Sequence, residues 1–231
     1  MNKIKFSFII PTLNEEKYIE NCLKSIKNQK GNYEIIVVDS YSRDRTISIA
    51  KKFGCKILFE KRKGPAIARN IGAKHAKGDI IIFVDADARF DRDFLEKLDK
   101  KFEKNIGGCI FKQGIFDTKD NYILFLLKLW NAIISSINKI GFAMTNGVCF
   151  AYRKKYFNSV GGFDPKLLTN EDHDLARRIK KISRFVFFND IVVYTSLRRA
   201  KKLGFKKFIT LQLKATLFYF LKHKSLSEYW C

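Results

Sequence analysis

Apolar positions along the first hundred residues follow two alternating rhythms. Short, mostly apolar runs at Lys5 to Ile10, Glu34 to Asp39, Lys56 to Phe59 and Asp79 to Asp85 predict strands buried on both faces. Between them apolar residues fall at helical spacing. Ile19, Cys22, Leu23 and Ile26 mark one helix, Thr46 to Phe53 a second, and Gly64 to Ala76 a third. Phe94, Leu95, Leu98 and Phe102 mark a fourth. Asn14 is the expected N-cap of the first helix, with Glu15 and Glu16 in a favourable first turn, and Asp91 the expected cap of the fourth. Strands alternating with helices in this way predict βαβ units and a largely parallel sheet.

The second half is less regular. Gly107 to Phe116, Thr145 to Tyr152 and Phe185 to Val193 read as strands, and Leu175, Ile179 and Ile182 as one side of a helix. Tyr122 to Phe142 is apolar but interrupted, too broken for a transmembrane span. Lys128, Asn131, Ser135 and Asn138 make a narrow polar stripe on it. Such a helix belongs in a core or in a membrane interface, with Trp130 near the headgroups. In the tail KKLGFKKFITLQLKATLFYFLKHK, Lys207, Thr210 and Lys214 lie on one side. Phe208, Leu211 and Phe218, with Ile209, Leu213 and Leu217, form a broad apolar flank.

The 231 residues suit one large domain, or a domain with an appendage. Composition sharpens this in one respect: 45 Lys+Arg against 23 Asp+Glu give a net charge of +22. That field favours anionic partners: nucleic acid, anionic lipid or phosphorylated substrates. The scattered cysteines, Cys22, Cys55, Cys109, Cys149 and Cys231, form no C-x-x-C pair. They point to a reducing compartment rather than a zinc site or a disulfide framework. The opening MNKIKFSFIIP has too short an apolar run for a signal peptide.

The chemistry begins at IIIFVDADARF, where an apolar strand runs into Asp85 and Asp87. On an extended chain, residues i and i+2 point the same way. The pair suits either a hard divalent cation, completed by substrate phosphates, or a turn with two solvated aspartates. Pro11 to Glu15, Asp39 and Asp85 to Asp87 all follow strand ends, the edge where ligands bind in such sheets.

The stretches FIIPTLNEEKYIENCLKSI, EIIVVDSYSRDRT and KGPAIARNIGAKHAKGDIIIFVDADARF, then GGFD and NEDHDLARRI, together resemble family 2 glycosyltransferases of the GT-A fold. The resemblance implies an α/β, Rossmann-like, mostly parallel sheet flanked by helices, with a helical C-terminal appendage. It divides the chain into a transferase domain over 1–200, with a nucleotide-sugar half to about 116 and an acceptor half from 117, and a basic amphipathic tail over 201–231. It places Pro11, Thr12, Asn14 and Glu15 in the nucleotide pocket, Asp39 at the base or ribose, and Asp44 in the same loop. Tyr41 and Arg45 stand where the family commonly has glycine. Arg69 is expected near the nucleotide. Asp85 and Asp87 are expected to grip ribose and a metal-bound diphosphate, with Asp87 the direct ligand of Mg²⁺ or Mn²⁺. Of the Glu171–Asp172 pair, Asp172 is the expected base of an inverting displacement. Arg198 and Arg199 are expected to approach the diphosphate. His173, a lone His in an acidic turn, is expected at the surface, and Arg177 and Arg178 to pair with helix acids or solvate.

The implied activity moves a sugar from a nucleotide-diphosphate sugar to an acceptor. The basic amphipathic segments suggest a lipid-linked acceptor at the cytoplasmic face of an anionic membrane, with a soluble glycan or protein acceptor as the alternative. A nucleic-acid partner is not expected, because converging carboxylates at Asp85, Asp87, Glu171 and Asp172 repel a polyanion.

Overall fold

Phe6–Thr12 forms strand β1, buried from Phe6 to Ile10 because helices cover both of its faces. The structure, a computed structural model, describes residues 4–62 and 64–222. After β1 come α1 (Ile19–Lys27), β2 (Tyr33–Asp39), α2 (Thr46–Lys52), β3 (Lys56–Phe59), α3 (Pro65–His75) and β4 (Ile80–Val84). These four strands pair in parallel in the order β3-β2-β1-β4. The first half is therefore the predicted run of βαβ units.

The second half extends the sheet with changes of direction. It comprises β5 (Arg89–Phe90), α4 (Phe94–Lys101), β6 (Ile106–Ile115), α5 (Asn121–Lys139), β7 (Cys149–Arg153), α6 (Lys154–Ser159), α7 (Glu171–Lys180) and β8 (Arg184–Thr195). Helices α8 (Arg198–Leu203) and α9 (Phe205–Lys222) follow; residues 223–231 of the expected tail lie outside the described residues. The sheet order is β3-β2-β1-β4-β7-β6-β8-β5. β7 runs antiparallel to both β4 and β6, while β6 and β8 are parallel.

Alternate residues of the central strands feed two cores. Phe8, Ile10, Val37, Ile82 and Val84 pack with α1 and α4 on one face. Ile9, Ile36, Val38, Ile81 and Phe83 pack with α3, α7 and Ile134 of α5 on the other. Phe83 is surrounded there by Phe150, Phe157 and Phe163, with ring centroids 4.9–5.6 Å away.

Several local expectations are corrected. Asn14 caps no helix. It sits at φ 56°, and its side chain accepts the Arg43 amide at 2.9 Å, so α1 starts only at Ile19. Asp91 does not cap α4 with its side chain. Its carbonyl takes the Phe94 amide, while Gln29, beyond the end of α1, accepts the Leu95 amide at 3.0 Å and donates to the Asp91 carbonyl at 2.8 Å. β7 begins at Cys149 rather than Thr145, because the Thr145 amide and hydroxyl are spent on His173 and Asp172. Ile182 lies beyond α7 and is exposed. On α5 only the two asparagines of the polar stripe are buried, Lys128 being exposed: Asn131 bonds both the amide and the carbonyl of Gln113, and Asn138 bonds the Met144 carbonyl. Tyr122, Phe125, Leu129 and Ile133 face outward instead. No helix among the described residues is long and apolar enough to cross a membrane.

Helix α3 approaches the sheet on small residues, and Gly72 is the tightest point. A Cβ there lies 2.4 Å from the Ile9 side chain. Gly72→Val is expected to lower stability by about 2–3 kcal/mol through overpacking, read as a lower urea midpoint with an unchanged m-value.

Candidate active site

β4 ends at Val84, and Asp85 to Ala88 form a turn closed by the Ala88 amide on the Asp85 carbonyl at 2.9 Å. The two aspartates are therefore not presented on an extended strand, as the i, i+2 reasoning supposed. Each instead meets an arginine. Asp85 Oδ1 accepts from Arg69 Nη2 at 3.1 Å, and Asp87 Oδ2 forms an ion pair with Arg198 Nε at 2.8 Å.

Arg69 is fully enclosed in α3. Its second amine, Nη1, donates to Glu171 Oε1 at the start of α7, and its guanidinium lies over the rings of Phe150 and Phe163, at 5.1 and 5.7 Å. One cation thereby joins the D-A-D turn to the E-D turn. Next to it, Asn70 clasps the backbone of Phe163 twice, at 2.8 and 2.9 Å. Gly162, at φ 71°, permits this approach, because a Cβ there falls 2.7 Å from Asn70 Oδ1. The A-R-N and GGFD segments are thus two halves of one clasp.

The E-D pair is buried and divided in state. Burial pushes Glu171 up to about 7, against the pull of Arg69. Burial also raises Asp172, but the His173 imidazole, the Thr145 hydroxyl and Arg69 outweigh it and hold Asp172 below its ordinary value. Thr145 Oγ1 donates to Asp172 Oδ2 at 2.5 Å, and the His173 amide donates to Oδ1 at 2.9 Å. His173 is buried, contrary to the surface placement expected for it. Its Nδ1 accepts the Thr145 amide at 3.0 Å. Arg178 pairs with Asp174, as expected of a helix arginine.

At the ends of β1 and β2, Asp39 is wholly buried. It accepts Thr12 Oγ1 at 2.8 Å, the Ser42 amide at 2.7 Å and Ser42 Oγ at 2.6 Å. Pro11 and Thr12 pair with β2 at this edge. Asp44 takes the amides of Thr46 and Glu16, and the sum of these bonds holds its carboxyl low despite slight burial. Tyr41, at φ 61°, stands exposed beside Phe59, with ring centroids 5.5 Å apart.

Glu15 accepts two bonds from Arg198, whose guanidinium also lies 4.5 Å from the centroid of the Tyr18 ring. Burial, then the charge of Asp85, pushes Asp87 up to about 6 against Arg198, and Arg199 adds its charge to that field. Arg198 fills the space between Glu15 and Asp87. Asp117 caps the helix that carries it, accepting the Leu197 amide at 3.0 Å and Lys201 Nζ at 2.9 Å. Neither of two cavities, of about 290 and 580 Å³, is lined by the clustered carboxylates, although the larger adjoins Asn70 and Gly162 of the clasp.

The donor set fits a divalent metal in part. Asp85 Oδ2 and Asp87 Oδ1 remain beside the arginine-paired oxygens, and both are hard ligands. Among the described residues no group of three His, Cys, Asp or Glu side chains could hold a metal, so further ligands have to come from substrate phosphates or water.

Residues 7–161 match glycosyl transferase family 2. The chain belongs to that family. It is 37% identical over 102 residues to the poly(ribitol-phosphate) beta-N-acetylglucosaminyltransferase TarS of Staphylococcus aureus, covering 40% of this chain and 18% of that protein. It is 32% identical over 170 residues to the poly(ribitol-phosphate) beta-glucosyltransferase of Bacillus spizizenii, covering 60% and 27%. A third relative is the dolichyl N-acetyl-alpha-D-glucosaminyl phosphate 3-beta-D-2,3-diacetamido-2,3-dideoxy-beta-D-glucuronosyltransferase of Methanococcus voltae, 36% identical over 125 residues, with 46% and 39% covered. The matched stretches span well under half of these relatives. Two solved structures share the fold at 22% identity. The S. aureus TarS 1–349 complex with UDP has a TM-score of 0.65 over 84% of this chain and 60% of its own. The Pyrobaculum calidifontis mannosyltransferase with GDP-Man and Mn²⁺ has a TM-score of 0.71 over 93% and 65%. The GT-A expectation is thereby met.

The family motifs supplied Glu15, Asp39, Arg69, Asp85, Asp87, Glu171, Asp172 and Arg198. Sequence reasoning missed Thr145 and the burial of His173. Thr145 lies 27 residues from its partner Asp172, and only the polar T-N-G before an apolar run hinted at it.

Arg69→Met is expected to cost about 3–5 kcal/mol in urea unfolding, because it leaves the Asp85 and Glu171 carboxylates without their shared cation. Adding Glu171→Gln recovers part of that loss. Glu171 also has a pH signature. Its folded pKa exceeds the unfolded value of 4.5, so its contribution is full below about 4.5 and is lost as pH rises through about 7. Glu171→Gln is expected to flatten the stability profile across that window.

Proposed function

We propose that the chain is an inverting glycosyltransferase that moves a sugar from a nucleotide-diphosphate sugar to an acceptor at an anionic membrane surface. The observation that carries this reading is the Arg69 bridge, which brings the D-A-D and E-D turns into one buried cluster. The UDP and GDP-Man complexes of the structural neighbours support a nucleotide-sugar donor, and the Mn²⁺ of one of them supports a divalent ion.

Asp85 and Asp87 would hold that ion, Mg²⁺ or Mn²⁺, which neutralises a departing diphosphate when bound. Asp172, held ionised by its neighbours, is the base. The acceptor oxygen attacks the anomeric carbon as its proton passes to a carboxylate oxygen of Asp172. The bond from that carbon to the diphosphate breaks, and its electron pair leaves with the diphosphate. Attack opposite the leaving group inverts the centre. Arg69 and Glu171 position the two turns. Arg198 and Arg199 supply positive charge at the diphosphate end.

The acceptor is proposed to be lipid-linked and the chain peripheral on the cytoplasmic face of the membrane. Support comes from the outward apolar rows of α5 and α9 and from the lysines around them, each worth about 1 kcal/mol near an anionic surface. The dolichyl-linked substrate named for the M. voltae relative agrees with a lipid carrier. The poly(ribitol-phosphate) named for the TarS and B. spizizenii relatives favours the second reading, a glycan polymer as acceptor.

Thermal-shift measurements with UDP and GDP, each with and without Mn²⁺, test the donor. At 100 times its dissociation constant the preferred nucleotide should add about 2.7 kcal/mol. Asp87→Ala is expected to abolish the metal-dependent part, and its persistence would remove Asp87 from the ligand set. Asp172→Asn should keep nucleotide binding while turnover falls by about 10²–10⁴-fold. Unchanged turnover would reject Asp172 as the base.

A further inference from the structure

Helix α9 faces two ways. Among the described side chains its outer side carries, besides Thr210, aliphatic and cationic anchors: Ile209, Leu213, Leu217 and Leu221, among Lys206, Lys207, Lys214 and Lys222, all exposed. From Ile191 to Lys222 the chain has no Asp or Glu, against Arg198, Arg199, Lys201, Lys202 and those four lysines. A second copy of the same face would set lysines against lysines. Among the described side chains no exposed ring stands in the leucine row for a nucleobase to stack on. An anionic lipid surface answers both features, taking the leucines into its apolar layer and the lysines at its headgroups.

The inner side is wired to the E-D turn. Asn170 immediately precedes Glu171 and stands in the left-handed region, at φ 61°. Its Nδ2 donates to the Ala215 carbonyl of α9 at 3.1 Å, and its Oδ1 accepts from Thr216 Oγ1 at 3.5 Å. Tyr219 reaches the same turn, donating from its hydroxyl to Asp174 Oδ1 at 3.1 Å. Asn170 and Asp174 bracket Glu171 and Asp172, and the Asp174 amide closes on the Asn170 carbonyl at 3.0 Å.

We infer that α9 is a coupling element: docking its outer face on an anionic bilayer orders, through Asn170, the turn that carries Glu171 and Asp172. This rests on the membrane reading above and adds regulation to it. A helix held on a surface keeps Ala215, Thr216 and Tyr219 in register, and the turn behind them opens less often. Any such linkage is reciprocal, so a settled turn also strengthens docking.

Hydrogen exchange of the full chain tests this, with vesicles of phosphatidylglycerol and phosphatidylcholine in equal parts, read at α9 and at residues 170–174. Vesicles are expected to slow exchange in both segments, in the turn by about 5-fold or more. Asn170→Gly keeps the left-handed backbone and removes both side-chain bonds. It should still bind vesicles and protect α9 while the turn no longer responds, and Thr216→Val should weaken the response in the same direction. Leu213→Lys with Leu217→Lys should abolish docking and leave the turn at its vesicle-free rate. Protection of α9 with an unchanged wild-type turn overturns the coupling and spares the membrane reading, as does a turn that still responds in Asn170→Gly. Absence of vesicle binding by the wild-type chain at low salt overturns both.

Discussion

A single buried guanidinium holds the site together. Arg69 cannot be deprotonated, so it has to be compensated where it lies, and the chain supplies Asp85 from one turn and Glu171 from another. Two aromatic faces complete its surroundings. The desolvation of these charges sets the geometry. Neither turn can drift without leaving a charge alone in a medium of low polarity. Such an arrangement adds little net stability compared with an apolar core of equal volume. It specifies instead where the carboxylates stand.

Around that centre, side chains that look free in the sequence are committed to backbone. Asp39 and Asp44 between them fasten the loops after β1 and β2. Asn70 fastens the GGFD loop, and Thr145 and His173 lock each other beside Asp172. The rim at the strand ends is thus stiff where it is acidic. The cationic side, Arg198 on the short helix α8, is carried by a separate segment held through Asp117.

The parallel half of the fold was readable because β1, β2 and β4 are buried on both faces and the helices between them keep their spacing, although β3 is half-exposed. The second half was blurred by side chains that override local pattern. Thr145 looks like a strand residue and is not one, because its polar groups have tertiary partners. The polar stripe of α5 left core and membrane interface both open; its two asparagines are buried because Asn131 and Asn138 satisfy backbone groups of neighbouring segments, while Lys128 stays exposed. Asn14 and Asp91 have cap chemistry, yet Asn14 serves another loop and the cap at α4 comes from Gln29. The E-D pair was legible only through its motif. Burial pushes Glu171 up while the surroundings hold Asp172 low, and the partners that do so, Arg69 and Thr145, lie in no local window.

Gln29 ties two helices into one unit. Its amide joins the end of α1 to the start of α4 across 66 residues of chain. Without that distant amide the Leu95 N–H at the start of α4 has no side-chain acceptor, and a helix of eight residues is marginal unaided. The order of α4, and of the segment that leads to it from the D-A-D turn, therefore depends on α1 being in place.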